Sequence, residues 1–584
     1  MRFLSSVRSL LDESLPSQPL VLRYSERAVG KRKARALVVF SQQKWLIWAS
    51  EATLTGSKLH YVLADIYLPP RKLIRRQDPL FSRSQALMND LPSLLNIAPG
   101  NATAVIIPET STVITYDSLR RQINNMAEDL AGMGIRRGDR VANVLPNGLP
   151  TIVAFLAGAV AGTAAPLNPA YRFDEFTFYL EDTSARVLLV PMEGAEDARR
   201  AAEQLKIPVY AVQMDEQGNV SIVGAPKRVP FVPPTPDDIA LVLHTSGSTG
   251  RPKRVPLKHR NLAVSCENIV NTYDLQAHDV SLCVMPLFHI HGLVASTLSS
   301  FSTGGTVVVP NKFNPMSFWR TVRDQGVTWY SCVPTIHQLS VARLNEKPEG
   351  LEKLRFVRSC SSALSPVLKE KLENVLQVPV LEAYGMTEAS HQMCSNPLPP
   401  RVSKPASVGP GTGVQVGIMD EDGNLLPSGD LGEIVIQGPN VVDGYENNPE
   451  ANAKSFTNGW FRTGDQGMID GDGYLHLTAR IKELINRGGE KIAPLEIDEI
   501  MMAHPSVAEA VAFGMPHPTW GEEVAVAVVL KEPQTEAALM EHCKQRLADF
   551  KVPKKIMIVE KIPRTATGKI QRRVVAEAFS GGKQ

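Results

Sequence analysis

Cysteine is scarce in this chain. Its 584 residues include six, Cys266, Cys283, Cys332, Cys360, Cys394 and Cys543, and none forms a CxxC pair. That spacing excludes a disulfide framework and a zinc site, and it suits a reducing compartment. Net charge is nearly absent too. Sixty-two Lys and Arg against 60 Asp and Glu leave a formal charge of +2, which gives no electrostatic footprint for nucleic acid or an anionic membrane. Long apolar runs are also missing. Val141–Tyr171 and Val280–Asn311 lack all four charged residue types. The first is broken by Pro146, Pro150, Pro166 and Pro169, the second by Pro286, His289, His291 and a Ser/Thr/Gly cluster. Neither holds the roughly 18–20 consecutive apolar residues of a membrane span, so both read as buried core. No internal repeat or low-complexity tract is visible, and the terminal GGKQ is not an SKL-type peroxisomal address.

What is present points to a multidomain α/β protein, since a chain this long exceeds one ordinary core. Residues 1–90 form an extension of uncertain role. Arg2, Arg8, Arg23, Arg27, Lys31, Arg32, Lys33 and Arg35 give its first fifty positions a basic excess, against which stand Asp12 and Glu13. These first residues read foremost as a dispensable extension or an imperfect gene model, with a mitochondrial presequence at MRFLSSVRSLL as the alternative. A cytoplasmic or peroxisomal location stays open beside the mitochondrial one.

From about Thr112 short apolar runs alternate with amphipathic segments. Strands are predicted at Arg140–Leu145, Arg186–Pro191, Ile239–His244, Ser281–Met285, Thr306–Val309, Val327–Val333, Leu354–Ser359 and Val378–Ala383. Helices are predicted at Leu119–Met133, Asn261–Tyr273, Pro315–Asp324, Thr335–Leu344 and Pro366–Val375. Such alternation builds doubly wound parallel sheets whose ligands sit beyond the strands' carboxyl ends. Past Gly409 turn clusters such as DEDGN and DGDGYLHL mark a small β-barrel-like region. After Arg480 a small α+β unit is predicted, with helices Leu495–Met502 and Glu536–Leu547 and strands Val507–Phe513, Val524–Leu530 and Ile556–Val559. The expected division is an extension at 1–90, a large domain at 91–481 and a C-terminal domain at 482–584.

The most informative stretch is His244-Thr245-Ser246-Gly247-Ser248-Thr249-Gly250-Arg251-Pro252-Lys253, read as a strand–loop–helix turn. Its glycines let backbone N–H groups close around phosphate oxygens, its hydroxyls add donors, and Lys253 adds positive charge. The Walker A pattern is absent.

This stretch resembles the signature loop of the adenylate-forming superfamily, which includes acyl-CoA synthetases. Pro286–Gly292, Tyr384-Gly385-Met386-Thr387-Glu388, Gly459–Asp465, Ala479-Arg480-Ile481-Lys482 and Arg564-Thr565-Ala566-Thr567-Gly568-Lys569 match further motifs in the same order over residues 90–584. The resemblance implies an AMP-forming acid–thiol ligase that uses ATP, Mg²⁺ and coenzyme A, with a C-terminal domain that rotates between half-reactions. It assigns Thr245, Ser246, Gly247, Ser248, Thr249, Gly250 and Lys253 to the phosphates, Glu388 to Mg²⁺ and Thr387 to the α-phosphate. Ser361, Ser362, Ala363, Glu382, Tyr384 and Gly385 would wall the adenine. Asp465 and Arg480 would hold the ribose, Lys569 would bridge carboxylate and phosphoester, Lys482 would mark the hinge, and Arg487, Gly488 and Gly489 would line the CoA channel. Two departures stand out: Arg254 and Ala479 replace frequent glycines. Arg254 would hinder the loop's turn or add a phosphate contact.

The acid pocket is assigned to His289, His291, Ser331, His337, Ser359, Met386 and His391. No carboxylate stands in the Phe288–His291 stretch, which disfavours an amino acid, and imidazoles with hydroxyls suit a second carboxylate better than an alkyl chain. PLFHIHGL, VRSCSSALSP and RIKELINRGGEKIAPLEIDE resemble the oxalyl-CoA and related peroxisomal CoA synthetases, implying a small dicarboxylic acid or another biosynthetic acid. An enzyme loading a carrier protein and a non-catalytic nucleotide-binding relative remain the alternatives.

Overall fold

The computed structural model describes residues 21–27, 33–41, 44–50, 90–245, 252–344, 346–564 and 570–579. The proposed presequence and the terminal GGKQ lie outside them. The chain separates into units Met1–Pro79 and Leu80–Gln584, the second of which includes the C-terminal hundred residues. In the first unit Val21–Arg27, Lys33–Ser41 and Lys44–Ser50 form an antiparallel sheet, with Val21 opposite Val39 and Leu37 opposite Trp48.

The second unit is built on two large sheets. One has seven strands in the order Val220–Ile222, Val209–Met214, Ala185–Pro191, Arg140–Asn143, Thr163–Pro166, Ile239–Thr245 and Lys253–Lys258. Its inner strands are parallel and both edge strands antiparallel. The other has eight, ordered His391–Ser395, Val380–Met386, Phe356–Ser359, Trp329–Cys332, Val280–Leu282, Thr306–Val308, Thr103–Ile107 and Thr112–Thr115. Every strand predicted in this region is present, shortened or shifted by a few residues, as are the five helices. The proline-rich segment at 227–237 is a loop.

Leu149–Ala161, foreseen only as buried core, is a helix with all but one of its residues buried: Leu149, Ile152, Val153, Phe155 and Leu156 are at most 1% exposed. Each such side chain contributes about 1.5–3 kcal/mol by leaving water. Its Pro150 sits in the first turn, where no helical N–H is lost. All six cysteines are buried and free, and no helix among the described residues is long and apolar enough to cross a membrane.

Beyond the parallel sheets the chain forms a five-stranded sheet of Gln415–Met419, Gly432–Gln437, Trp460–Ile469, Phe456–Thr457 and Leu475–Arg480. A three-residue 3₁₀ turn, Ile481–Glu483, leads from Arg480 to a separate sheet containing Ile485–Arg487, Val507–His517, Gly521–Leu530 and Lys555–Ile558. Arg572, from the last described helix, reaches back to Glu483 (3.1 Å) and pairs with buried Asp498.

Two buried histidines add a pH dependence to this core. The backbone N–H of Leu91 donates to His259 Nδ1 (3.3 Å), and Nε2 lies 3.1 Å from the Ala159 carbonyl. Nδ1 therefore accepts, Nε2 carries the proton, and the ring is neutral. Burial pushes the His259 and His337 imidazoles down to about 4 from 6.5. Between these values the unfolded chain binds more protons than the folded one, so stability rises with pH across this window. Urea unfolding is expected to show stability falling as pH drops from 6.5 toward 4, with a shallower fall in His259→Gln.

Candidate active site

The signature loop is anchored differently from the expected strand–loop–helix. Thr245 ends one strand and Lys253 begins the next, and the two face each other across an antiparallel pair that runs to Lys258. Only then does the helix His259–Tyr273 start. Residues 246–251, with Ser246, Gly247, Ser248, Thr249 and Gly250, lie outside the described residues. The hairpin nevertheless fixes both ends of the loop at the sheet edge. Arg254 is held beside it by acids: Nε lies 3.2 Å from Asp182 Oδ2, Nη1 donates to the Asp182 carbonyl (2.6 Å), and Glu446 is 3.6 Å away. Asp182 also receives His244 (2.9 Å). The arginine therefore fastens the hairpin to its neighbours.

Thr387 and Glu388 open a 3₁₀ turn at the end of strand Val380–Met386 and are buried, 8% and 5% exposed. Glu388 Oε1 accepts from the Tyr445 hydroxyl (2.8 Å) and from Thr245 Oγ1 (3.3 Å). Lys253 Nζ sits 4.3 Å from the centre of the Tyr445 ring. Burial pulls the Lys253 ammonium below its usual value; Lys482 and Lys454 add to this, and Glu388 opposes it. A hard carboxylate, two hydroxyls and the Lys253 ammonium thus meet around Tyr445. These donors fit Mg²⁺ carrying phosphate oxygens, because such a site needs only one or two carboxylates when water and phosphate fill the other positions.

The chain reverses sharply past this turn. Ser390 and His391 have φ of 54° and 111°. A Cβ on Gly385 would come 2.1 Å from the His391 carbonyl oxygen, so only glycine permits the return strand to pass.

Asp465 lies in the next sheet, opposite Arg480, whose Nε donates to Oδ1 (3.0 Å). The Tyr384 hydroxyl donates to the other carboxylate oxygen. Burial and the Asp465 charge hold that phenol well above its usual value, so it stays a donor. Ser361, Ser362 and Ala363 lie on the loop between strand Phe356–Ser359 and helix Pro366–Leu376, with Ser361 at φ 76°. Glu382 braces this loop by accepting from the Leu364 N–H (3.1 Å), and burial raises its carboxyl to about 7.

The residues assigned to the acid pocket divide between two faces of one sheet. His291 Nε2 is 2.6 Å from Ser331 Oγ, Nδ1 is 3.1 Å from Ser361 Oγ, and its ring stacks on His391 with centres 5.1 Å apart. The half-buried His289 supports this group through Nδ1, which accepts from the His291 N–H (3.2 Å). Met386 is paired with His391 across the neighbouring strands. His337 and Ser359 are elsewhere. Ser331 is in register with Arg358, and Ser359 with Cys332; side chains alternate along a strand, which sets Ser359 on the opposite face. His337 contacts Cys332 Sγ (3.4 Å) and the Arg358 carbonyl (3.2 Å), buried against Tyr330. The single wall of imidazoles expected from sequence is thus reduced to His289, His291 and His391.

Lys482 lies in the 3₁₀ turn between the last two sheets, close enough to Lys253 to lower its pKa. Gly488 and Gly489 turn a hairpin with φ of 60° and 100°. A Cβ on Gly488 would meet the Trp520 ring at 2.7 Å. Arg487 pairs with Glu523 (2.7 Å) and lies 5.0 Å over Trp520. Lys569 is outside the described residues, but Arg564, five positions earlier, donates to Thr335 Oγ1 (2.7 Å) at the head of helix Pro334–Val341. Arg564 thus meets the helix that follows strand Trp329–Cys332. Sequence reasoning missed Tyr445, Trp520 and Arg358. Tyr445 lay hidden in a turn cluster, whereas the arginine inside an apolar strand was a legible signal.

Comparison with known proteins agrees with this geometry. The family of AMP-binding enzymes matches residues 96–446, and the AMP-binding enzyme C-terminal domain matches 496–569. A probable CoA ligase of Humulus lupulus is 47% identical over 480 residues, covering 80% of this chain and 91% of that protein. An oxalate–CoA ligase of Arabidopsis thaliana is 46% identical, with 80% and 92% covered. The crystal structure of ATP-bound MatB from Rhodopseudomonas palustris superposes with a TM-score of 0.78 at 30% identity, covering 84% of this chain and 99% of that one. The chain belongs to the AMP-binding enzymes, and within them to the acyl-CoA synthetases, close to the oxalate–CoA ligases.

Proposed function

We propose that this enzyme condenses a small polar acid with ATP to give acyl-AMP and pyrophosphate, then transfers the acyl group to coenzyme A. The observation that carries this reading is a pair of clamps of opposite character. Lys253, Glu388, Tyr445 and Thr245 converge at one end, and Asp465, Tyr384 and Arg480 at the other. The first suits a polyphosphate with its cation, the second a vicinal diol such as ribose. Held at both ends, a nucleotide keeps its α-phosphorus fixed for in-line attack, and positioning supplies much of the rate in such transfers.

The first difficulty is charge: a carboxylate must approach an anionic phosphate. Lys253 stabilises the departing pyrophosphate oxygens, Thr387 donates to the α-phosphate, and Lys569 places positive charge between the reacting groups. Mg²⁺, held by Glu388, would neutralise phosphate charge. In the second half-reaction Gly489, with no atom within 4 Å of where its Cβ would stand, leaves room for an extended pantetheine arm.

His291, His391 and Ser361 present polar atoms where a fatty-acid enzyme would need an apolar tunnel. This supports a small dicarboxylic acid, and the likeness to an oxalate–CoA ligase points to oxalate as the first candidate. Acid-dependent pyrophosphate release should be measured with oxalate, malonate, a cinnamate and a medium-chain fatty acid, with CoA consumption followed in parallel. Oxalate or malonate is expected to turn over fastest, with CoA consumed in equal amount. Fastest turnover of the fatty acid would overturn the choice of acid, and pyrophosphate release without CoA consumption would favour a carrier-loading enzyme.

A further inference from the structure

Arg358 sits mid-strand in Phe356–Ser359 and is fully buried. Its acceptors are neutral. Nε donates to the Tyr273 hydroxyl (2.8 Å), Nη1 to Ser331 Oγ (2.8 Å) and Nη2 to Gln392 Oε1 (3.0 Å). No carboxylate among the described residues pairs with it. Taking an unpaired cation out of water costs several kcal/mol. Arg572 and Arg254, whose side chains are each 12% exposed, have two acidic partners apiece; Arg358 has none among the described residues.

The arginine also sets the direction of the hydrogen bonds around it. A guanidinium can only donate, so Ser331 Oγ must accept from it. The serine's own proton is then directed at His291 Nε2, 2.6 Å away. That leaves the proton of His291 on Nδ1, facing Ser361 Oγ at 3.1 Å. Ser361 is held at positive φ on the loop where the acid and adenine regions meet. A relay of donors thus runs from a buried positive charge to the edge of the acid pocket, and each bond polarises the next.

We propose that Arg358 selects for an acid bearing a second carboxylate: the uncompensated guanidinium, relayed through Ser331 and His291, makes the pocket positive where that second anion rests. Arg358 does not touch the substrate; it is a positioning residue. The proposal rests on the reading of this pocket as one for a polar acid.

The test is the ratio of kcat/KM for adenylate formation with a dicarboxylate to that with its monocarboxylate counterpart. Oxalate is paired with glycolate, and malonate with propionate, in the wild type and in Arg358→Gln, Arg358→Lys and Ser331→Ala. Arg358→Gln is expected to lower the ratio about 30-fold, chiefly by raising KM for the dicarboxylate. Arg358→Lys, which keeps the charge, is expected to recover most of it, and Ser331→Ala, which cuts the relay with a small deletion, to lower it about tenfold. If Arg358→Gln proves unfolded, the Ser331→Ala ratio decides. Equal losses on both acids, or a ratio within about threefold of wild type, would mean a merely structural arginine and overturn the proposal. A wild type that prefers the monocarboxylates would instead overturn the polar-acid reading, and the assignment of Arg358 with it.

Discussion

Lys569→Ala is expected to abolish acyl-AMP formation while leaving thioester formation from supplied acyl-AMP within a few-fold of wild type. Two anions react in the first step, and their repulsion is greatest as oxygen approaches phosphorus. A lysine placed between them acts where charge develops, and removal of one such donor costs about 100- to 1000-fold in rate. In the second step the electrophile is already an activated mixed anhydride, and the positive charge is needed elsewhere. Arg564, the last described residue before Lys569, donates to Thr335 at the head of helix Pro334–Val341. Acid-dependent pyrophosphate exchange reads the first step, and CoA consumption from synthetic acyl-AMP reads the second. Equal loss of both would contradict a lysine that serves only one half-reaction.

The second large effect is expected at Glu388. Glu388→Gln should lower adenylate formation about 1000-fold and raise the Mg²⁺ concentration needed for half-maximal rate, as the loss of several kcal/mol of charge stabilisation requires. The substitution keeps an acceptor oxygen for the Tyr445 and Thr245 hydroxyls, so thermal stability should stay close to wild type. That separates a charge effect from a folding effect. Unchanged Mg²⁺ dependence together with lowered activity would assign Glu388 to scaffolding.

Much of this fold can be read from the chain because strands buried on both faces appear as short apolar runs between amphipathic helices. Where that contrast failed, so did the reading. Leu149–Ala161 is apolar on every side and carries no period that separates helix from strand. Lys253–Lys258 does alternate, with Val255 and Leu257 inward, but it reads as the approach to a helix; its Pro256 is tolerated because this is an edge strand, where a missing N–H costs no ladder bond. In the site, Glu388 and Asp465 stood out in the sequence through their motifs, and each lies in a hydrogen-bonded cluster in the structure. Residues whose role depends on register did not stand out. Whether Ser331 faces Arg358 or Ser359 is decided by a shift of one position, and no local pattern carries that information. Tyr445 reaches Glu388 from 57 positions away, through a contact between a loop and a 3₁₀ turn that only the folded chain reveals.

The arginine at position 254 has a consequence for how this enzyme can change. It is bonded to Asp182 and Glu446; Asp182 also binds His244, and Glu446 also binds Arg140. Restoring a glycine there would leave two carboxylates short of a cation, and altering either acid alone would leave the guanidinium under-compensated. Substitutions at these neighbouring positions are therefore not independent. Arg254 is thus exchanged at least cost when its acidic neighbours change with it, so this corner behaves as one unit.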